Sequence, residues 1–127
     1  MIRPTIQLAV EFNRSVRHDD EWFDEPDDLD RLEAVLESIV EHDDPLDYAA
    51  NLAFRVTRTQ AFGEGNKRTS LLLARWTLDR NGLRGSEVLP ADDRDVANLL
   101  IRAAAGDDVQ RELVNLIRSR SKGSASQ

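Results

Sequence analysis

Between Lys67 and Arg80 the chain reads KRTSLLLARWTLDR. Wound as an α-helix, this stretch sets Leu71, Leu72, Leu73, Ala74, Trp76 and Leu78 around nearly its whole circumference. A surface helix keeps one polar face, whereas a helix apolar all round belongs in the middle of a protein, covered by other elements. The spacing therefore predicts a buried central helix over 67–80. Asn81 and Gly82, a pair suited to a left-handed stop, would end it.

The covering elements are also helical by pattern. Ile6 and Val10 share a face of a helix over about 5–16, and Leu29, Leu32, Leu36 and Ile39 recur at helical spacing over about 27–41. A third helix starts at HDDPLD, where Asp44 can cap and Pro45 suits the first helical position, and it carries Leu46, Ala49, Ala50, Ala53 and Phe54. Val96, Leu99, Leu100, Ala103 and Ala104 form one stripe over about 92–105, before Gly106. The last helix, about 108–120, begins with Asp107 and Gln110 in capping-box spacing and offers Val109, Leu113, Leu116 and Ile117. No stretch reads as a strand. The expectation is all-α: a single compact bundle of about six helices in one domain over 1–120, with a flexible polar tail over 121–127.

Composition narrows the chemistry. With no cysteine the chain has no disulfide, thiolate zinc site or cysteine nucleophile, and two histidines, His18 and His42, make a histidine-rich metal centre untenable. Each apolar run is short and broken by charge, so no membrane span is expected. MIRPTIQLAVEF lacks the uncharged core of a secretory signal, which makes a cytoplasmic location the expectation. Residues 1–51 hold 15 acids against 4 Lys/Arg, whereas residues 52–127 hold 9 against 13. The net charge of −7 disfavours general DNA binding. A helix-turn-helix reader built on Arg55, Arg58, Lys67 and Arg68 is disfavoured too, because its second helix would be the apolar one. The acidic segment RHDDEWFDEPDD, 17–28, reads either as a charged loop tucking Trp22 and Phe23 against the core or as a flap over a site.

A site is expected just before the central helix, in QAFGEGNKRT, residues 60–69. The first amides of a helix have no internal partners and form the positive end of its dipole, so they attract anions where glycine lets a ligand approach. Gly63 and Gly65 permit that approach, and Lys67 and Arg68 add two charges in the same turn. Cations there oppose the dipole, which costs a few tenths of a kcal/mol or more each. Either they are surface charges at a helix start, or a polyphosphate neutralises them. Glu64 is an oxygen ligand suited to Mg²⁺, which commonly bridges phosphates. The spacing does not fit a Walker loop, in which lysine and Ser/Thr follow glycine directly.

QAFGEGNKR resembles the signature H-x-F-x-[DE]-[GA]-N-[GK]-R of the Fic/Doc (Fido) family at eight of nine positions, Ala61 through Arg68. Phe62, Glu64, Asn66, Lys67 and Arg68 carry the specificity. The chain length, the RNG after the central helix and the later AAAGD are similar to the Doc, or death-on-curing, branch, and the likeness extends to about residue 120. The resemblance implies a Fido-type bundle in which Phe62 anchors the loop and Glu64 binds Mg²⁺. Gly63, Gly65, Asn66, Lys67 and Arg68 would hold the phosphates of ATP, with Lys67 and Arg68 also serving the transfer step. Lysine at 67 goes with transfer of the γ-phosphate, glycine there with AMPylation. The implied partners are an antitoxin protein and a protein substrate, the elongation factor that delivers aminoacyl-tRNA. No [ST]-x-x-x-E-[GN] inhibitory motif occurs in the chain, which fits inhibition by a separate partner.

One position departs from the signature. Gln60 stands where the family has the histidine that accepts the target's proton. Histidine titrates near 6.5 and can do this, whereas an amide orients a hydroxyl without deprotonating it. Three readings stay open: a protein that binds ATP but transfers poorly, an inactivated variant, or chemistry run by another base. His18 on a flap and Glu64 are the available bases, and Glu64 would then be lost to Mg²⁺. A pseudoenzyme that binds nucleotide or protein without transfer is the main alternative function.

Overall fold

The computed structural model of the chain describes residues 1–17 and 27–125. All regular structure among them is helical: α1 (Ile6–Val16), α2 (Leu29–Ser38), α3 (Pro45–Thr59), α4 (Asn66–Arg80), α5 (Gly85–Val88), α6 (Arg94–Ala104) and α7 (Gln110–Ala125). The all-α expectation holds. The additional helix, α5, is a single four-residue turn after Gly82, too short to leave a periodic signature. α7 continues through Ala125, past residue 120, where the sequence placed the start of a polar tail.

Side-chain caps explain where most of these helices begin. Thr5 accepts from the Leu8 N–H at 3.2 Å, Asp28 from Arg31 at 3.0 Å and Asp44 from Leu46 at 2.9 Å. Asp93 takes the N–H groups of both Asp95 and Val96. The expected cap at Asp107 is replaced by one at Asp108, which accepts from the Gln110 N–H at 3.2 Å. Asp107 instead pairs with Arg102 at 3.4 Å. α4 is the exception among the long helices of the described residues: Gly65 precedes it in the left-handed conformation, φ 76°, with no side chain to cap it.

Two apolar clusters fill the interior, and both are built on α3 and α4. One joins Ala49, Ala50, Ala53, Phe54, Ala74 and Leu78 to α5, α6 and α7. The other joins Tyr48, Leu52, Val56 and Leu73 to α1, α2 and the loop residues Ala61 and Phe62. Burial is more complete along α3, where every residue from Tyr48 to Phe54 is buried. The expected all-round burial of the helix over 67–80 is partial, because Leu71, Leu72 and Trp76 are only half-buried. α3 was harder to read as central because three of its core residues are alanines and two are polar. Asn51 accepts from Gln110 at 2.6 Å, and the Thr57 and Ser70 hydroxyls lie 2.8 Å apart across the α3–α4 contact. These bonds remove the cost of burying bare polar groups.

Candidate functional site

The six residues between α3 and α4, 60–65, hold one conformation by short-range hydrogen bonding. Gln60 ends α3 in the left-handed region, φ 51°, and is the only described non-glycine residue with positive φ. The chain then turns inward, burying Ala61 and Phe62. Asn66 locks this turn from the far side. Its side-chain oxygen accepts from the Phe62 N–H at 3.1 Å, and its side-chain nitrogen donates to the Phe62 carbonyl at 2.9 Å. The side-chain amide of Asn66 is thus committed to the loop.

Residues the sequence did not single out hold the loop from outside. Asp27 accepts from the Gly63 N–H at 2.9 Å and pairs with Arg17 at 2.8 Å. Asp28 donates its N–H to the Ala61 carbonyl at 2.7 Å. Asn13 on α1 donates to the Glu64 carbonyl at 2.8 Å and to the Thr69 hydroxyl at 3.2 Å. The readable signal for Asn13 was a polar residue on the core stripe of α1, four positions after buried Ala9. Asp27 gave none, being one carboxylate among many. Trp22, Phe23 and His18, the proposed contents of a flap, lie outside the described residues.

The α4 end of the loop opens onto a cleft of about 220 Å³ lined by Val16, Glu64, Gly65, Asn66, Lys67 and Arg68. Four expected site residues besides Gly65 are therefore gathered here. Lys67 and Arg68 are exposed, and Glu64 and Gly65 are half-buried. The N–H groups of Asn66, Lys67 and Arg68 belong to the first turn of α4 and have no carbonyl partner within the helix. The N–H of Gly63, an expected phosphate donor, is taken by the Asp27 carboxylate. Space is also tight: a Cβ on Gly65 would stand 3.0 Å from Val16 Cγ2.

Gln60 lies at the other end of the loop. Its side chain is exposed, and its Nε2 donates to the Ala104 carbonyl, at the end of α6, at 3.5 Å. This is a long bond that leaves the amide free to reorient. His42 cannot serve as a base for the site. It precedes α3, whose 15 residues separate it from Gln60 by about 20 Å. Among the described residues no group of three or more His, Cys, Asp or Glu could enclose a metal. A divalent ion here would need phosphate oxygens beside Glu64, which is how Mg²⁺ is ordinarily held. No helix of the described residues is long and apolar enough to cross a membrane.

A family model described as the Fic/DOC family matches residues 7–78, more than half of the chain. The match runs from α1 almost to the end of α4 and so takes in Asn13, Asp27 and the whole loop. No curated protein matches the chain.

Proposed function

The chain belongs to the Fic/DOC family, and on that premise we propose that residues 60–68 form the ATP/Mg²⁺ site of a Doc-like protein phosphotransferase whose transfer step is impaired at Gln60. The observation that carries this reading is the uncapped start of α4. A helix with three orphan amides and two exposed cations in one turn, facing a cleft, is stable next to an anion and mildly destabilised without one.

In the proposed complex the amides from Gly65 to Arg68 donate to phosphate oxygens. Arg68 meets a terminal phosphate with its planar fork, and Lys67 places a point charge beside it. Glu64 would hold Mg²⁺, which neutralises charge on the phosphates and keeps them aligned. The target's hydroxyl oxygen then bonds to the γ-phosphorus as the bond to the β,γ-bridging oxygen breaks, and ADP leaves. The hydroxyl proton must go to a base, and Gln60 cannot take it. Positioning and charge stabilisation, which dominate phosphoryl transfer, would remain.

The finer assignments rest on family resemblance: Lys67 for γ-phosphate rather than AMP transfer, a Fido domain over 1–120, a cytoplasmic setting, an antitoxin partner, and the aminoacyl-tRNA-delivering elongation factor as substrate. A second reading has one observation in its favour. With Gln60 beside the Ala104 carbonyl and no described histidine within reach, the protein would bind nucleotide without transferring it. Both readings require binding. With MgATP at a hundredfold excess over Kd, the native state should gain about 2.7 kcal/mol, raising Tm by several degrees. Arg68→Ala should weaken binding about tenfold or more by removing a charge-assisted donor. A melt unchanged by MgATP would reject both readings.

A further inference from the structure

Asn13 is 99% removed from solvent on α1, yet it spends its side chain on the main chain of a loop 51 residues away. Its amide is oriented by three partners. The oxygen faces Arg17 Nη1 at 3.2 Å, so the nitrogen must face the Glu64 carbonyl and the Thr69 hydroxyl. Buried amides are ordinarily satisfied, but helix cores satisfy them more cheaply by leaving them out, and alanine at this position would fit the stripe begun by Ala9.

The consequence lies one peptide unit further on. A trans peptide is planar, with its C=O and N–H pointing in opposite directions. Drawing the Glu64 carbonyl toward α1 therefore turns the Gly65 N–H away from α1. Gly65 has no Cβ and sits at φ 76°, where the flanking peptides can rotate at little cost. Without an external hold on the Glu64 carbonyl, this peptide would have several orientations available. We propose that Asn13 is a positioning residue for anion binding: its bond to the Glu64 carbonyl fixes the Gly65 N–H as a donor in line with the first amides of α4. Arg17, itself held by Asp27, keeps the Asn13 amide from flipping.

The inference rests on the reading of 60–68 as a nucleotide site, and its test separates the two. MgATP and inorganic triphosphate are titrated by calorimetry into wild type, Asn13→Ala, Asn13→Asp and Thr69→Val, with a ligand-free melt of each. Asn13→Asp keeps the volume, the Arg17 partner and, through the Thr69 hydroxyl, the second contact, and sets an acceptor against the Glu64 carbonyl. Asn13→Ala removes the donor without adding charge. Thr69→Val breaks only the other bond. Both Asn13 variants should bind each probe about tenfold to a hundredfold more weakly, as expected for one donor to a charged oxygen. Thr69→Val should lose stability and keep its affinity within about twofold. Affinity loss shared equally by Thr69→Val would mean a merely structural role and overturn the inference. So would Asn13 variants that bind like wild type, with the site itself intact. Wild type that binds neither probe would overturn the site and the inference together.

Discussion

Replacing Gln60 with histidine is expected to raise the rate of phosphoryl transfer to the protein substrate by about 10²–10⁴-fold. This corresponds to roughly 3–5 kcal/mol of barrier and is the contribution a positioned general base ordinarily makes. The backbone accommodates the change. Residue 60 has φ 51°, and histidine enters the left-handed region more readily than most residues. The side chain leaves an exposed position held by a single long bond to the Ala104 carbonyl, so little is lost in replacing it. The pH profile supplies an independent check. An imidazole works as a base only when neutral, so the variant's rate should fall as pH drops through about 6.5, while residual wild-type transfer should lack that limb. Intact-mass measurement of the substrate identifies the product. One added phosphate supports the reading of Lys67, whereas one added AMP would overturn it. If the variant binds MgATP but transfers no faster, a missing base is not what limits this protein.

The second large effect concerns the loop's anchor. Phe62 is buried among Leu32, Ile39, Tyr48, Leu52 and Leu73, and its main chain is clamped at both N–H and C=O by Asn66. Phe62→Ala should cost about 3–5 kcal/mol, from lost burial and the cavity left behind. For a chain of this size that lowers Tm by roughly 10–20 °C. Phe62→Leu keeps most of the volume and should cost under about 1.5 kcal/mol. Below its own Tm, Phe62→Ala should also bind MgATP less tightly than Phe62→Leu, because the ring sets where the loop enters the core. A Phe62→Ala protein that melts within about 2 °C of wild type would show that the loop does not depend on this ring.

Helix positions were legible wherever periodic apolar residues coincided with a capping side chain. Asp44 with Pro45 marked the start of α3 to the residue, and Gly82 and Gly106 follow the helices they were expected to end. The ranking of the helices by burial was not legible. Leucine and tryptophan made the stretch over 67–80 look more central than α3, whose alanines bury completely but add little apolar weight per residue. The residues that build α3 into the centre satisfy Asn51 and Thr57 through partners on α7 and α4, and such partners leave no local pattern.

The candidate site divides in the same way. The residues that line its cleft were readable because Glu64, Gly65, Asn66, Lys67 and Arg68 are consecutive, and one helix start brings them together. Its supports were not, because Asn13 and Asp27 reach the loop across 51 and 36 residues of chain. Asp27 also changes the donor set. Composition showed only an acidic N-terminal half, whereas the fold places one of its carboxylates on the Gly63 N–H. In the proposed site the phosphate donors would therefore begin at Gly65 rather than at Gly63.

The claim beneath all of these expectations is that the opening turn of α4 grips the terminal phosphates of a nucleotide. Backbone amide resonances, followed while the protein is titrated with MgATP and then with magnesium and adenosine, report on it directly. With MgATP, the amides of Gly65, Asn66, Lys67 and Arg68 should shift most and saturate together, while Gly63, held by Asp27, moves less. Adenosine should leave all five in place. Shifts confined to other surfaces, such as the open cleft beside Asp108 and Arg111, or equal shifts with adenosine, would contradict the account.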